Sequence, residues 1–301
     1  MSKRTLNKMN CNVADIVAEI FIKQGLDRVF LYPGGTIAPL VNACIDKGIK
    51  IENFKNEQGA GYAALAYSKI SNLPQVIMVT SGPGITNLIT VIADAYYDSI
   101  PLIIISGQIS TIELNQRKAV RQRGFQEAPT LAMTKKISKK AIMLDSEKNI
   151  SSNLFDAFHT SNSGRKGPVV LDFPMNIQRS EEIKSLANYP DYKIKKINYK
   201  KNYSLIKIVT ELKKAKKPVI LLGNGAHAIK NYSLLENLVK KIDAFVVTSF
   251  LGVGSCNTRD KSFIGYIGHV GHYAANIALA ESDFLIVLGS RLDIRQTGSE
   301  V

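Results

Sequence analysis

Glu57 is the acidic residue whose surroundings most suggest chemistry. It lies in the segment FKNEQGAGYAALAY, after an apolar run and before a series of small residues. This pattern predicts that Glu57 follows a strand and begins a helix. A carboxylate there is stabilised by the partial positive charge of the helix N-terminus, which is a structural role. A carboxyl group shielded from water can also be tuned for proton exchange. The local sequence leaves both interpretations open.

Glycine-rich turns follow several apolar runs of the chain. They are Pro33-Gly34-Gly35, Gly82-Pro83-Gly84, Gly223-Asn224-Gly225 and Gly289. In open α/β sheets, ligands bind outside the carboxyl ends of the strands, where such turns lie. None of these turns matches a complete phosphate-binding or dinucleotide-binding motif. Each turn is therefore either a ligand contact or a purely structural tight turn.

Strand and helix patterns alternate along both halves of the chain. The strand patterns are DRVFLYP, IKIENFK, PQVIMVTS, PLIIISG and KGPVVLDFPMNI, followed by KPVILLGNGA, AFVVTSF and DFLIVLGSRL. Such alternation implies βαβ units and a mostly parallel sheet covered on both faces. We predict an α/β fold with two doubly wound parallel-sheet domains. These are residues 1–180, a lysine-rich linker over 181–204, and an incomplete Rossmann-like domain over 205–301.

The composition excludes several classes of protein. The formal net charge is +14, and ten lysines lie between Lys193 and Lys217. No aromatic stacking set or nucleic-acid motif accompanies these lysines. We therefore interpret them as a solvated linker and helix face. The longest apolar runs are far shorter than the roughly 18 residues of a membrane span. Cys11, Cys44 and Cys256 lack metal-ligand spacing. We expect a cytoplasmic protein with no metal ligands of its own and no nucleic-acid or membrane partner.

An ordered series of motifs resembles a known enzyme family. The segments YPGG, NEQGAGYAALAYSK, TSGPGITN, SGQ, FQEAP and GPVVLDFP resemble the pyrimidine-binding domain of thiamine-diphosphate enzymes. The similarity runs from about Val13 to Pro174 and is greatest to acetolactate synthase large subunits and acetolactate synthase-like proteins. The segments KPVILLGNGA, VVTSFLGVGS and GYIGHVGHYAANIALAESDFLIVLGSRLDIRQTG resemble the central domain of the same family.

The resemblance implies that Glu57 activates thiamine diphosphate. In this family a glutamate hydrogen-bonds a ring nitrogen of the aminopyrimidine, which favours the imino form of the neighbouring exocyclic nitrogen. That nitrogen removes the C2 proton of the thiazolium ring. The resulting carbanion attacks the keto group of a 2-oxoacid such as pyruvate, and carbon dioxide leaves. The implied reaction condenses two 2-oxoacids with decarboxylation, as in branched-chain amino acid biosynthesis.

The resemblance also implies the residues of the site. Glu57 and Gln126 are the expected catalytic residues, and Phe125 and Lys139 are expected near the substrate. The expected thiamine-diphosphate contacts, besides Glu57, are Gly34, Gly35, Ser81, Gly82, Pro83, Gly84 and Asn87. FAD, which has no redox role in acetolactate synthases, is a further implied cofactor. Its expected contacts are Arg165, Gly223, Asn224, Gly225, Arg291 and Asp293.

A third domain of the family has no counterpart in these residues. That domain holds Mg²⁺ and the diphosphate and carries a G-D-G motif, which does not occur here. We therefore expect a fragment that is inactive alone. A homodimer or tetramer is also expected, with the helix after Glu57 as the contact, although its small residues also suit a tight core. Another thiamine-diphosphate lyase or decarboxylase and a non-catalytic cofactor-binding remnant are the alternatives.

Overall fold

A computed structural model describes residues 12–116, 119–181, 203–229 and 231–298 of the chain. The chain divides into two compact units, Met1–Ile194 and Lys195–Val301. Most of the predicted linker over 181–204 lies outside the described residues. Among the described helices, none combines the length and the apolar character that a membrane span requires.

The first unit is built on one parallel sheet. Its strands are β1 (Arg28–Leu31), β2 (Lys50–Asn53), β3 (Gln75–Val79), β4 (Leu102–Gln108), β5 (Lys140–Met143) and β6 (Val169–Pro174). Its helices are α1 (Val13–Lys23), α2 (Ala38–Asp46), α3 (Glu57–Ser71), α4 (Pro83–Tyr97), α5 (Thr111–Leu114), α6 (Thr130–Thr134), α7 (Ile150–Asn162) and α8 (Met175–Arg179). The strand order is β2-β1-β3-β4-β6-β5, and every pairing is parallel. The carboxyl ends of all these strands therefore lie on one edge, here called the carboxyl edge.

The central strands bury side chains on both faces of this sheet. Val76 and Met78 of β3 lie in the core shared with α1, α2 and α7. Ile77 and Val79 lie in the core shared with α3 and α4. Strands buried on both sides need helices on both sides, because neither face can be left in water. The structure confirms the predicted doubly wound α/β arrangement.

Small residues of α3 pack closely against α4. Ala60, Gly61 and Ala64 are all buried within this unit. A Cβ atom at Gly61 would lie 2.8 Å from Leu88 Cδ2 and 2.9 Å from Val91 Cγ1. Because a real Cβ does not approach other atoms so closely, the distance between the helices requires glycine at this position. The tight-core interpretation therefore explains these residues of α3.

The second unit has a smaller parallel sheet. Its strands are β7 (Pro218–Leu222), β8 (Phe245–Thr248), β9 (Phe263–Tyr266) and β10 (Phe284–Leu288), in the order β10-β7-β8-β9. Its helices are α9 (Tyr203–Leu212), α10 (Tyr232–Ile242), α11 (Tyr273–Ala280) and α12 (Ile294–Thr297). Ile220 and Leu222 lie in one core, and Val219 and Leu221 lie in another. This alternation confirms a second parallel α/β unit.

Two edge strands, β5 and β9, are not predicted by the sequence patterns. All four residues of β5 are only partly buried. In β9, Gly265 interrupts the apolar residues, and the register against β8 shifts between Val246 and Val247. Edge strands contact a neighbour on one side, so they do not need the long apolar runs that identify central strands.

Replacing Gly61 with valine should loosen the contact between α3 and α4. We expect Gly61→Val to lower the free energy of unfolding by about 1–3 kcal/mol, because the added atoms overlap Leu88 and Val91. Urea denaturation measures this change. Ala66→Val is the matched control, since Ala66 is exposed on the same helix and the cost there is limited to helix propensity, below about 1 kcal/mol. Equal effects of the two substitutions would contradict the packing role.

Candidate active site

The turns after β1, β2 and β3 form a cluster at the carboxyl edge of the first sheet. These strands are neighbours, in the order β2-β1-β3. Gly34 and Gly35 follow β1, Glu57 follows β2, and Ser81 and Gly82 follow β3. The sheet topology thus brings predicted residues that are distant in sequence to the edge where open α/β sheets bind ligands.

Glu57 lies in the first turn of α3, and only 5% of its surface is exposed. The helix begins there because Asn56 Oδ1 accepts a hydrogen bond from Gly59 N at 2.7 Å. Asn87 Nδ2 of α4 donates to Glu57 Oε2 at 2.8 Å. This hydrogen bond and the helix N-terminus both help to offset the cost of burying a carboxylate. Two predicted site residues, Glu57 and Asn87, are therefore in direct contact.

Two threonines connect the turn after β1 to the turn after β3. Thr36 Oγ1 and Thr80 Oγ1 lie 2.9 Å apart, and Ser81 N donates to Thr36 Oγ1 at 3.0 Å. A Cβ at Gly34 would lie 2.3 Å from Thr80 Cβ, so the close approach of the turns requires glycine. The sequence patterns do not single out either threonine. The feature of the sequence that could have identified them is a hydroxyl-bearing residue beside each glycine turn.

The turn at Gly82 lies against the segment that carries Gln126. Gly82 has a φ of 61°, in the left-handed region that favours glycine. A Cβ there would also lie 2.7 Å from the carbonyl oxygen of Gln126. Pro83 and Gly84 begin α4 immediately afterwards. The structure therefore brings Gln126 to this turn, whereas Phe125 is 83% exposed on the surface.

Lys139 and Arg165 lie at the opposite edge of the same sheet. Lys139 precedes β5, and its Nζ donates to Ser163 O at 2.6 Å and also to Thr160 O, at the end of α7. Arg165 precedes β6, and its Nε donates to Ser99 Oγ at 2.8 Å. Because all strands are parallel, residues that precede strands lie away from the carboxyl edge. Within this chain, Lys139 therefore lies apart from the cluster around Glu57, and its ammonium group satisfies carbonyl groups at the end of a helix.

In the second unit, two glycine-rich turns pack against each other. Residues 223–225 follow β7, and Gly289 follows the neighbouring β10. A Cβ at Gly223 would lie 2.3 Å from Gly289 O, so the chain's own backbone fills the space that a side chain would take. Arg291 Nε donates to Asp293 Oδ2 at 2.9 Å, and Asp293 caps α12. Packing between the turns explains why position 223 is a glycine.

Two segments of the chain match domains of a known protein family. Residues 11–133 match the N-terminal thiamine pyrophosphate-binding domain of thiamine pyrophosphate enzymes, and residues 205–301 match the central domain of these enzymes. The chain therefore belongs to the thiamine pyrophosphate enzymes, which confirms the resemblance seen in its motifs.

Similar proteins include several acetolactate synthases. The large subunit from Lactococcus lactis is 35% identical over 286 residues, which cover 94% of this chain and 48% of that protein. The mitochondrial enzyme from Schizosaccharomyces pombe is 35% identical over 297 residues, covering 95% and 43%. The large subunit from Haemophilus influenzae is 32% identical over 292 residues, covering 95% and 50%. The chain thus spans about half the length of the curated relatives it matches.

Removing the Thr36 hydroxyl should weaken the connection between the two turns. We expect Thr36→Val to lower the free energy of unfolding by about 1–3 kcal/mol, because Ser81 N and Thr80 Oγ1 lose a hydrogen-bond partner while the side-chain volume hardly changes. Thr36→Ser keeps the hydroxyl and should stay within about 1 kcal/mol of the original protein. Urea denaturation of both variants tests this, and a Thr36→Val protein as stable as Thr36→Ser would refute the role.

Proposed function

We propose that this chain is part of an enzyme that condenses two 2-oxoacids with loss of carbon dioxide, using thiamine diphosphate. The observation that carries the proposal is the buried carboxylate of Glu57, held by Asn87 at 2.8 Å at the carboxyl edge. The names of the relatives, all acetolactate synthases, support this reaction class. Pyruvate is the proposed substrate for the same reason.

The groups near Glu57 fit the aminopyrimidine half of thiamine diphosphate. This half of the cofactor presents a ring nitrogen, which a carboxyl group shielded from water can hydrogen-bond. Ser81 Oγ is buried and has no hydrogen-bond partner in the described part of the chain, so a bound ligand or water would satisfy it. When bound, thiamine diphosphate supplies a carbon nucleophile and holds the electrons that decarboxylation releases. Glu57 would exchange a proton at the pyrimidine nitrogen, and Asn87 would keep its carboxyl group oriented.

Substrate and metal contacts are also part of the proposal. We place Gln126 beside the reacting centre because its backbone lies against the Gly82 turn, and we propose the exposed Phe125 as a neighbouring substrate contact. Mg²⁺ and the diphosphate would be held by a diphosphate-binding domain of the kind found in the family. Within the described residues, no group of three or more His, Cys, Asp or Glu side chains could hold a metal ion.

Flavin binding and self-association are separate proposals. FAD binding by the second unit is supported by the resemblance of its glycine turns and of Arg291 and Asp293 to the acetolactate synthase pattern. The absorbance spectrum of the purified protein would test it, since bound flavin is visible. A dimer or tetramer in the cytoplasm is proposed on the same resemblance. Light scattering after size-exclusion chromatography would measure the mass, and a monomer would contradict it.

Glu57→Gln should abolish activity while preserving the fold. The glutamine oxygen can still accept the hydrogen bond from Asn87, but the side chain cannot exchange a proton at the cofactor. We expect acetolactate formation from pyruvate to fall by at least about 100-fold, the scale of acid–base catalysis. The assay uses the protein as its gene encodes it, with thiamine diphosphate and Mg²⁺.

Glu52→Gln is the matched control, because Glu52 lies on β2 in surface ion pairs with Arg28 and Lys50. Its activity should stay near that of the original protein. Near-normal turnover by Glu57→Gln would remove Glu57 from the mechanism. Two outcomes for the original protein would favour the alternatives. If it releases carbon dioxide without forming acetolactate, it is a lyase or decarboxylase. If it binds the cofactor without turnover, it is a non-catalytic remnant.

A further inference from the structure

A carboxyl group is buried inside the first sheet, on a strand that supplies none of the turns around Glu57. Asp172 lies on β6 between β4 and β5, and 1% of its surface is exposed. Leu171 and Phe173 face one core, and Val170 faces the other. Because side chains alternate along a strand, Asp172 points to the same side as Val170. Carboxyl groups are almost never fully buried without a partner, so we expect Asp172 to bind a polar group in the interior.

Gln108 links this carboxyl group to the neighbouring backbone. Gln108 ends β4 and is also 1% exposed. Its Nε2 donates to Asp172 Oδ2 at 3.1 Å and to Ala128 O at 3.2 Å, and its Oε1 accepts from Ile109 N at 2.9 Å. With both ends of the amide engaged, its orientation is defined. Burial raises the pKa of Asp172 to about 7, a rise that the hydrogen bond from Gln108 opposes.

Ala128 belongs to residues 124–130, here called the site segment, which also carries Phe125 and Gln126. Gln126 has a φ of 58° and lies against Gly82. Near the surface, Glu127 pairs with Arg123. In the interior, Ala128 O accepts the bond from Gln108. The hydrogen bond to Ala128 therefore attaches the site segment to the sheet from a position shielded from water.

We propose that Asp172 is a positioning residue for the site segment. By accepting a hydrogen bond from Gln108, it turns the amide towards Ala128 O and so holds Gln126 against the Gly82 turn. The consequence for catalysis rests on the proposed function, whereas the attachment of the segment does not. Asp172→Leu removes the acceptor, whereas Asp172→Asn retains a side-chain oxygen that can accept the same bond.

Hydrogen–deuterium exchange of the full chain, read by mass spectrometry, tests the attachment without requiring activity. We expect the peptide covering the site segment to exchange about tenfold faster in Asp172→Leu and in Gln108→Leu, because a buried hydrogen bond is lost. Asp172→Asn should exchange like the original protein. The peptide covering β3 should be unchanged in all three variants.

Several outcomes would overturn this role. It fails if the site segment exchanges at the original rate in Asp172→Leu, or if β3 exchange rises equally, which would show global destabilisation. If Asp172→Leu does not fold, Gln108→Leu decides by the same criteria, and faster exchange of the site segment in Asp172→Asn would also contradict the role.

Kinetics separate the positioning role from the proposed function. Asp172→Leu should raise the KM for pyruvate about tenfold, and it should have little further effect in a Gln126→Ala background, because it acts through that segment. If Asp172→Leu raised the KM by the same factor in the Gln126→Ala background as in the original protein, that result would contradict the role. If the original protein shows no pyruvate turnover but exchange responds as expected, the proposed function fails and the positioning role stands.

Discussion

The packing of α3 against α4 sets the distance on which the candidate site depends. Gly61 allows the two helices to approach so closely that Leu88 fills the space beside it. Glu57 lies one helical turn before Gly61, and Asn87 directly precedes Leu88. The helix contact and the 2.8 Å hydrogen bond between Asn87 and Glu57 are therefore parts of one arrangement. A wider separation would leave a buried carboxylate without its partner, which costs free energy.

The parallel sheet separates the candidate site at its carboxyl edge from the connections at the opposite edge. At the carboxyl edge, turns after adjacent strands approach each other and are joined by Thr36 and Thr80. At the opposite edge, Lys139 and Arg165 bind carbonyl and hydroxyl groups of the same unit. Strand direction explains this division, because it decides which connections meet at the site. The register of β4 against β6 brings Asp172, inside the sheet, within reach of Gln108, through which it acts on the site segment.

The apolar runs and the order of the motifs predict most of the fold. They identify the central strands, such as β3 and β4, and the helix that begins at Glu57. The short edge strands β5 and β9 escape prediction because one open side reduces the need for apolar residues. The contact of Glu57 with Asn87 depends on the packing of α3 against α4, which spacing along the chain does not contain. One feature of the sequence, the acidic Asp172 within an apolar run, weakly indicates the Gln108–Asp172 pair. Which residues lie beside Asp172 depends on strand register.

The most direct test of the account measures how fast the C2 proton of bound thiamine diphosphate exchanges with deuterium. Rapid mixing with D₂O, acid quenching and proton NMR give this rate without any 2-oxoacid, so substrate identity does not affect it. If Glu57 activates the cofactor, exchange in Glu57→Gln should be slower by at least about 100-fold, while Glu52→Gln matches the original protein. Equal exchange rates in Glu57→Gln and the original protein, with the cofactor bound to both, would contradict the central claim.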